Sequence, residues 1–394
     1  MLTTEEALAK TLDLLTPTSV EDVTLTEAAG RVLATAVVAT RPQPPFAASA
    51  MDGYAVRADD AQLGARLEVI GEVQAGGTSN HPVGKNQAVR IFTGAPVPPG
   101  ADAILIQEDA VRDGDALTVS EAPTKGRYIR PAGLDFAAGD EITAPRRLTS
   151  ADIALAAAMN APRLSVHRKP VVHLIATGDE LVMPGETPGA NQIISSNNFG
   201  VAALLGARGA APVIQPIATD DKAALITALD RAKNADLIVT LGGASVGDYD
   251  LVQQVFGDEG MDLSFYKVAM RPGKPLMAGK VRGVPMVGLP GNPVSSMVLA
   301  HLLLAPAIDA LLGLPAAAPP RRIATLGVDI GKNGPREHFM RACATETPTG
   351  LVVTPFANQD SSVLSLLAGA NALAIHPPHG GAMKAGDQIE VIMI

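Results

Sequence analysis

The chain has 394 residues, a net charge of −9 and a single cysteine, Cys343. Its length predicts two to four domains. The acidic balance argues against nonspecific nucleic-acid binding, because neutralising phosphates requires a basic face. A single cysteine excludes an intrachain disulfide and an all-cysteine metal site. These features predict a modular protein of a reducing compartment, the cytoplasm.

Neither a membrane location nor a zinc site is expected. The first residues lack the positive start and apolar run of a signal peptide, and no uncharged apolar stretch reaches about twenty residues. The seven histidines are scattered, and prolines separate His376 from His379. This spacing does not suit the ligand pairs of zinc sites.

The N-terminal part combines two capped helices with a small β domain. Thr3 and Glu6 form a capping box that predicts a helix over 3–15, and Thr149 starts a second capped helix. Between about 16 and 150, short Val/Ile-rich runs alternate with turn residues, which predicts a β domain. The predicted strands there are 67–73, 88–92, 103–107 and 117–119.

From residue 170 onwards, strands alternate with helices. This order predicts a mostly parallel sheet covered on both faces. Residues 314–320 are rich in Pro and Ala and predict a linker, and the remainder returns to short strands that end with 388–394. The predicted strands are 171–177, 213–218 and 236–241, and the helices are 196–208, 220–233, 248–258 and 294–312.

Carboxylates follow each of the three predicted strands. Ligands of open parallel sheets bind beyond the carboxyl ends of the strands. Glu180, Asp220, Asp248 and Asp250 are therefore expected at one edge, where their oxygens suit Mg²⁺. Asp220 and Asp248 can instead be helix N-caps, and both interpretations stay open.

A glycine-rich loop, 242–247, follows the third strand. Its successive N–H groups and the next helix N-terminus suit a phosphate. The loop matches neither the Walker motif nor Gly-x-Gly-x-x-Gly, so a plain strand-to-helix turn remains the alternative.

Two segments, 267–275 and 288–295, combine prolines with glycines and predict rigid loops. The first carries Lys267, Arg271 and Lys274 in an otherwise acidic protein. Stiff loops with such cations suit a phosphate or another oxyanion. The alternative is a Pro/Gly-rich connector with solvated cations.

Several segments together carry a family resemblance. The chain resembles the molybdopterin molybdotransferases, the molybdenum-insertion enzymes whose eukaryotic relatives include the E domain of gephyrin. The matching segments are SAMDGYAV (49–56), IFTGAPVP (91–98), ATGDEL (176–181), GGASVG (242–247), RPGKP (271–275), GLPGNPVS (288–295) and REHFMR (336–341).

The resemblance implies a four-part architecture and a reaction. Adenylylated molybdopterin and molybdate would react with Mg²⁺ to give molybdenum cofactor and AMP. A homodimer is implied, and the molybdopterin adenylyltransferase is an expected partner. The implied parts are an elongated domain (1–40 and 130–168), an inserted β domain (41–129), a molybdopterin-binding α/β domain (169–316) and a C-terminal β-barrel-like domain (321–394).

The resemblance also assigns residues. Glu180, Asp220 and Asp250 are the implied Mg²⁺ ligands. The implied catalytic residues are Asp52, Thr93, Asp135, Glu180, Asp220 and Asp250. The implied substrate-binding residues are Gly242, Gly243, Ser245, Lys267, Arg271, Lys274, Pro290, Pro293, Arg341 and Ser361.

The chain departs from the family pattern at three positions. Ser195 stands where relatives often have an acidic residue, which leaves the role of that helix start open. Leu241 stands where many have Ser, and Arg271 where some have Lys. The Arg271 change preserves charge but not geometry.

Two other functions fit parts of the pattern. A noncatalytic dimeric scaffold of the same fold is one, but the retained carboxylates argue against it. A molybdopterin adenylyltransferase is the other, since that enzyme shares the α/β domain. The extra β domains and the motifs around Asp52 and Thr93 argue against it.

Overall fold

The computed structural model describes residues 1–78, 81–242 and 251–394. Within these residues, one four-stranded and three six-stranded sheets carry the architecture, and three two-stranded ladders supplement them. The predicted multidomain α/β and β class is confirmed.

The N-terminal helix is Thr4–Leu12. Its predicted capping box is confirmed, since the Glu6 N–H donates to Thr3 Oγ1 (3.2 Å) and the Thr3 N–H donates to Glu6 Oε2 (2.8 Å). The helix ends at Leu12, three residues earlier than predicted. Ala7 on its buried face joins the largest hydrophobic cluster, which is centred on the α/β region.

A four-stranded antiparallel sheet combines segments from both sides of the inserted region. The second capped helix, Ser150–Ala158, begins after Thr149 as predicted, and a short helix covers Leu25–Ala28. In spatial order the strands are Val20–Thr24, Arg163–His167, Val32–Leu33 and Arg146–Arg147. Two ladders pair Val37–Val38 with Glu141–Ile142, and Ala48–Ser49 with Ile129–Arg130.

The inserted region forms a six-stranded sheet. All four predicted strands are confirmed to within one residue at each end. Gly53 begins a strand directly after Asp52, and a Cβ there would overlap the Leu105 carbonyl, so only glycine fits. In spatial order the strands are Ala103–Ile106, Gly53–Val56, Gln87–Ile91, Arg66–Val73, Ala116–Val119 and Ala110–Asp113, with a short 3₁₀ turn at Gln107–Asp109.

The central sheet is mostly parallel, as predicted: its first four strands run parallel, the fifth runs antiparallel to them, and the sixth is antiparallel to the fifth. The strand predicted at 213–218 is present, but it lies earlier in the chain, at Ala211–Ile214, and an isolated bridge pairs Ala218 with Thr177 beyond it. In spatial order the strands are Ala211–Ile214, Val171–Ala176, Leu237–Leu241, Val284–Leu289, Met277–Val281 and Asp262–Tyr266.

Helices cover both faces of this sheet, and a separate hydrophobic cluster lies on each side. The longest helical segment is α-helical over Pro293–Leu299 and Ala305–Leu311, with a π-helical turn at Ala300–Leu304 between them. The other helices are Asn197–Ala207, Lys222–Arg231 and Leu251–Asp258, and a small ladder pairs Leu181–Val182 with Ile193–Ile194.

In the described residues, one helix, Pro293–Leu311, is long and apolar enough to span a membrane by length and composition. Its mean hydropathy is 1.7, but 78% of the window is buried inside the protein. Leu303 and Ile308 lie in the largest hydrophobic cluster. A core helix passes the same test, so this helix is weak evidence for a membrane span.

The C-terminal region forms a closed five-stranded barrel, which confirms the predicted barrel-like region. A short strand from the central region, Met270–Arg271, pairs in parallel with its longest strand at Glu337 and His338. The barrel strands are Arg321–Leu326, Glu337–Thr347, Gly350–Pro355, Ala372–His376 and Gln388–Met393, with one helix at Leu364–Ala368.

Candidate active site

A cavity of about 940 Å³ opens at the carboxyl ends of the parallel strands. Thr177, Gly242 and Pro290 line it directly after three of these strands. The position is where open α/β sheets bind ligands, and the volume suits a small molecule. The cavity is therefore the candidate active site.

Two of the predicted carboxylates, Glu180 and Asp220, line this cavity. The Glu180 carboxylate folds back over Gly178, where φ is +142° and a Cβ would overlap it, so the loop requires glycine. Within the described part of the chain, neither carboxylate accepts a hydrogen bond. Both carboxylates keep their oxygens available to a ligand.

Asp220 is not the helix N-cap. The following residue, Asp221, takes that position, and its Oδ1 accepts from the Ala224 N–H at 2.8 Å. Asp220 is instead held by its own N–H, which donates to Asp179 Oδ1 at 3.0 Å. The N-cap interpretation of Asp220 is wrong, and its side chain belongs to the cavity.

The third implied Mg²⁺ ligand, Asp250, lies outside the described residues, as do Gly243, Ser245 and Asp248. Over 1–78, 81–242 and 251–394, no group of three or more His, Cys, Asp or Glu residues could hold a metal ion. Glu180 and Asp220 still supply two carboxylates to one cavity. Mg²⁺ usually takes one or two carboxylates together with substrate phosphates, so this donor set fits the ion.

Gly242 lies in the cavity wall at φ +102°, and a Cβ there would come within 2.8 Å of the Thr177 carbonyl. Its own N–H donates to the Leu289 carbonyl at 3.2 Å and continues the ladder between strands. The position predicted for Gly242 is thus at the cavity, but its N–H is already used by the backbone. Thr177 Oγ1 beside it is buried and has no hydrogen-bond partner among the described residues.

The proline turn 290–293 forms another wall of the cavity and is braced from two sides. Asn197 Nδ2 donates to the Gly291 carbonyl at 2.7 Å. Asn292 Nδ2 donates to Ser361 Oγ at 3.1 Å from the other side. Sequence reasoning assigned no role to either asparagine. Asn292 immediately precedes Pro293 at the N-cap position, and this local pattern could have singled it out.

Ser195 lies in the cavity wall and is 3% exposed. Its Oγ donates to Asn198 Oδ1 at 3.2 Å, inside the start of the helix Asn197–Ala207. Its hydroxyl is therefore used within the helix start. Asn197 of the same segment braces the proline turn.

The cationic segment flanks the cavity without lining it. Arg271 is exposed, Lys267 and Lys274 are half-buried, and the adjoining Pro275 reaches the cavity wall. Lys267 Nζ lies 4.7 Å from the centroid of the Tyr266 ring.

Backbone hydrogen bonds fix the segment in place. The Val268 N–H donates to the Lys274 carbonyl at 3.1 Å, which closes the loop on itself. The Ala269 N–H donates to the Leu2 carbonyl at 2.8 Å, and the Glu337 N–H donates to the Ala269 carbonyl at 3.0 Å. The predicted rigidity therefore has a structural cause on both flanks.

Arg341, predicted to bind substrate, lies inside the barrel. It is 1% exposed and does not line the cavity. Its guanidinium donates to one side-chain amide and to backbone carbonyls of the loop 358–363. Burial lowers the pKa of this guanidinium below its ordinary value. Ser361 lies in the loop that Arg341 holds, and the neighbouring Ser362 lines the cavity.

Asp52 and Thr93 are paired in the inserted sheet. Asp52 Oδ1 accepts from the Thr93 N–H at 2.7 Å and from Thr93 Oγ1 at 2.8 Å. These hydrogen bonds lower the pKa of Asp52, and the charge of Arg90 lowers it further. Asp135 is exposed, and its N–H donates to the Gln43 carbonyl at 2.9 Å. Neither Asp52, Thr93 nor Asp135 lines the cavity of its own chain.

Family models match most of the chain. The model described as "MoeA N-terminal region (domain I and II)" covers residues 2–160. "Probable molybdopterin binding domain" covers 173–310, and "MoeA C-terminal region (domain IV)" covers 324–394.

Curated relatives and solved structures match nearly the whole chain. Molybdopterin molybdenumtransferase 2 of Mycobacterium tuberculosis is 38% identical over 94% of both chains. The molybdopterin molybdenumtransferase of Haemophilus influenzae is 34% identical over 99% of this chain and 98% of its own. The crystal structure of a molybdopterin biosynthesis MoeA protein from Pyrococcus horikoshii superposes with a TM-score of 0.87 at 28% identity, covering 100% and 99% of the two chains.

Proposed function

Because the chain belongs to the molybdopterin molybdenumtransferase family and is an enzyme of molybdenum cofactor biosynthesis, we propose that it inserts molybdenum from molybdate into adenylylated molybdopterin and releases AMP. The observation that carries the proposal is the cavity at the carboxyl edge of the central sheet. It combines two free carboxylates, Glu180 and Asp220, with a braced proline turn and an adjoining cationic segment.

The cations act on the negative end of the substrate. Lys267, Arg271 and Lys274 lie on a segment whose backbone is fixed before any ligand arrives, so binding does not have to order it. Charge-assisted hydrogen bonds from such side chains suit phosphates. We assign to this segment the phosphate groups of adenylylated molybdopterin.

The carboxylates act on the metal. Glu180 and Asp220 would hold Mg²⁺, and when bound this ion stabilises the charge that develops on the phosphoanhydride. Neither carboxylate has to give up a hydrogen bond from the described residues to do so. The walls of the cavity keep molybdate beside the pterin, which raises its effective concentration.

We further propose that the enzyme is a cytoplasmic homodimer with the four domains 1–40 with 130–168, 41–129, 169–316 and 321–394, and that the adenylyltransferase supplies its substrate. Asp52 and Thr93 lie outside the cavity of their own chain, which supports a site that is completed by the partner subunit. In such a dimer the hydrogen-bonded pair of Asp52 and Thr93 would face the cavity of the partner subunit.

Mixing inactive chains tests the shared site. A Glu180→Ala chain and an Asp52→Ala chain are each expected to be inactive, whereas their heterodimer has one cleft with both residues native. Activity should return after mixing, once a tagged pull-down has shown subunit exchange. Exchange without recovered activity means that each chain builds its site alone.

The reaction itself is tested with purified protein, adenylylated molybdopterin, Mg²⁺ and molybdate, by following AMP release and the formation of molybdenum cofactor. Release that requires both the protein and Mg²⁺ is the expected result. Formation of adenylylated molybdopterin from ATP and molybdopterin would instead identify an adenylyltransferase. Binding of the substrate without any turnover would identify a scaffold.

A further inference from the structure

One loop of the barrel, 358–363, reaches across to the cavity. The Ser361 carbonyl accepts from the Val294 N–H at 3.1 Å, at the first turn of the helix Pro293–Leu299. Ser361 Oγ accepts from Asn292 Nδ2 at 3.1 Å, and Ser362 lines the cavity. This barrel loop therefore sets one side of the proline turn and contributes part of the cavity wall.

The loop is organised around a single buried cation. Arg341 Nη2 donates to the carbonyls of Asn358 (3.1 Å) and Asp360 (3.0 Å). Its Nη1 donates to the carbonyl of Val363 at 2.7 Å. The three carbonyls lie at the beginning, middle and end of the loop, so the planar guanidinium spans the whole turn.

A side-chain amide closes the arrangement from the opposite side. Gln359 Oε1 accepts from the Arg341 N–H at 3.0 Å, and Gln359 Nε2 donates back to the Arg341 carbonyl at 3.0 Å. Asp360 Oδ1 accepts from the N–H and hydroxyl of Ser362, at 2.8 and 2.7 Å. Most polar groups of the loop are thus paired within the barrel. Ser361 is the residue of the loop that bonds to the proline turn 290–293 and to the start of the following helix.

We propose that Arg341 is a positioning residue: it never contacts the substrate, and it sets the cavity wall by fixing the loop 358–363 against the proline turn 290–293. The inference deepens the proposed function, on which its kinetic consequences rest. It assigns the guanidinium a geometric task, because the four hydrogen bonds that it makes all go to the loop and its side chain is closed off from solvent.

The geometry distinguishes this role from binding by charge. A lysine at this position keeps the positive charge, but its compact ammonium does not reproduce the planar fork that reaches carbonyls at the beginning, middle and end of the loop. Arg341→Lys and Arg341→Met should therefore damage the enzyme to the same extent. A residue that binds an anionic substrate by charge would instead be rescued largely by lysine.

The experiment combines hydrogen exchange with kinetics on the full-length enzyme. In Arg341→Lys, amide exchange should accelerate in peptides covering 290–296 and 358–364 and stay unchanged in the strand Gln388–Met393. The kcat/KM for adenylylated molybdopterin should fall roughly 10- to 100-fold, since small displacements of a binding wall have effects of that size. Arg322→Lys, which changes an exposed ion pair with Glu346 in the same barrel, is the matched control.

A second variant keeps the test decisive if the Arg341 variants do not fold. Gln359→Ala removes the interlocking amide and leaves the guanidinium contacts to the three carbonyls. It should accelerate exchange at 290–296 with a smaller fall in kcat/KM.

Unchanged exchange at 290–296 in any folded variant overturns the proposal, as does wild-type kcat/KM in Arg341→Lys together with its loss in Arg341→Met. If the wild-type protein releases no AMP, the proposed function fails, while the exchange measurements still decide the positioning role.

Discussion

The cavity edge and the barrel interior treat their charged residues in opposite ways. At the cavity, Glu180 and Asp220 are exposed and accept no hydrogen bond from the described residues. In the barrel, Arg341 is 1% exposed and its guanidinium makes four hydrogen bonds. The resemblance assigned a functional role to all three residues.

The difference separates two reasons for a charged residue in a shared motif. An unpartnered charge at a cavity is available to a ligand, and the folded chain loses little when it is removed. A buried charge whose hydrogen bonds are all made within the protein holds the surrounding backbone, and its removal leaves polar groups unpaired. Substitutions should therefore divide into those that change activity and those that change stability.

The largest expected effect is at the cavity. Glu180→Gln and Asp220→Asn, which keep shape and remove charge, should each lower the rate of AMP release about 10²- to 10³-fold, the size seen when one electrostatic contact to a reacting group is lost. The melting temperature should stay unchanged. Asp258→Asn, which removes an exposed carboxylate paired with Lys222, is the control. A large loss of stability in either cavity variant would break the comparison.

The second effect is a pH dependence of the barrel. Burial lowers the pKa of His338 from about 6.5 to about 4, with the charges of Arg271 and His376 adding to it. The unfolded chain therefore takes up a proton before the folded chain does, so stability falls as the pH drops from 6.5 to 4, by about 3 kcal/mol.

Denaturant unfolding at several pH values measures this effect. In His338→Gln the slope between pH 6.5 and 4 should be reduced. His379→Asn, at an exposed position with φ +56°, should keep the wild-type slope. An unchanged slope in His338→Gln would mean that other groups control the acid stability of the protein.

The cationic segment combines features of the two regions, because its charged side chains are accessible while its backbone is fixed by hydrogen bonds. Lys267→Ala and Lys274→Ala should weaken the binding of adenylylated molybdopterin by about 1.5–3 kcal/mol, or roughly 10- to 100-fold in Kd. The loss should shrink at high ionic strength, because salt screens charges that remain partly accessible to solvent. Calorimetric titration measures both, with Lys332→Ala, an exposed lysine of the barrel region, as the control. Unchanged binding would make the segment purely structural.

The smallest effect concerns Asp52, an exposed carboxylate that nevertheless has hydrogen-bond partners. Thr93→Val removes the hydroxyl donor and keeps the N–H, so the pKa of Asp52 should rise towards its ordinary value. The lowered pKa of Asp52 stabilises the folded protein at pH values above the ordinary pKa of an aspartate. This contribution is lost as the pH falls through the lower pKa that Asp52 has in the folded protein. An NMR titration of the Asp52 carboxyl measures the shift, and Thr118→Val on the same sheet should leave it unchanged.

The sequence predicted those features whose cause is local. The capping boxes at Thr3 and Thr149 need only residues three positions apart, and both are present. The carboxyl edge of the sheet follows from the order of strands and helices, which is why Glu180 and Asp220 were correctly brought together. The short runs of β-forming residues predicted a C-terminal β region, and the resemblance implied its barrel-like form.

The remaining features depend on contacts distant in the sequence. From the sequence, Asp220 and Asp221 suit the helix N-cap equally well. In the structure Asp221 is the N-cap, while the N–H of Asp220 donates to Asp179, which is distant in the sequence. The resemblance assigned Arg341 to substrate binding, whereas its burial depends on a loop about twenty residues later in the chain. A single hint was available, since Phe339, Met340 and Ala342 around it are apolar, as in a buried strand.

The two backbone hydrogen bonds of Ala269 in the cationic segment form with parts of the chain that are synthesised at different times. Ala269 is bonded on one side to Leu2, from the start of the chain, and on the other to Glu337, which is made after the segment itself. A chain emerges from the ribosome N-terminus first. The basic segment therefore acquires its second flanking strand only when the barrel has been translated. A nascent chain that stops before the barrel contains every residue of the cationic segment but lacks the strand that fixes its shape.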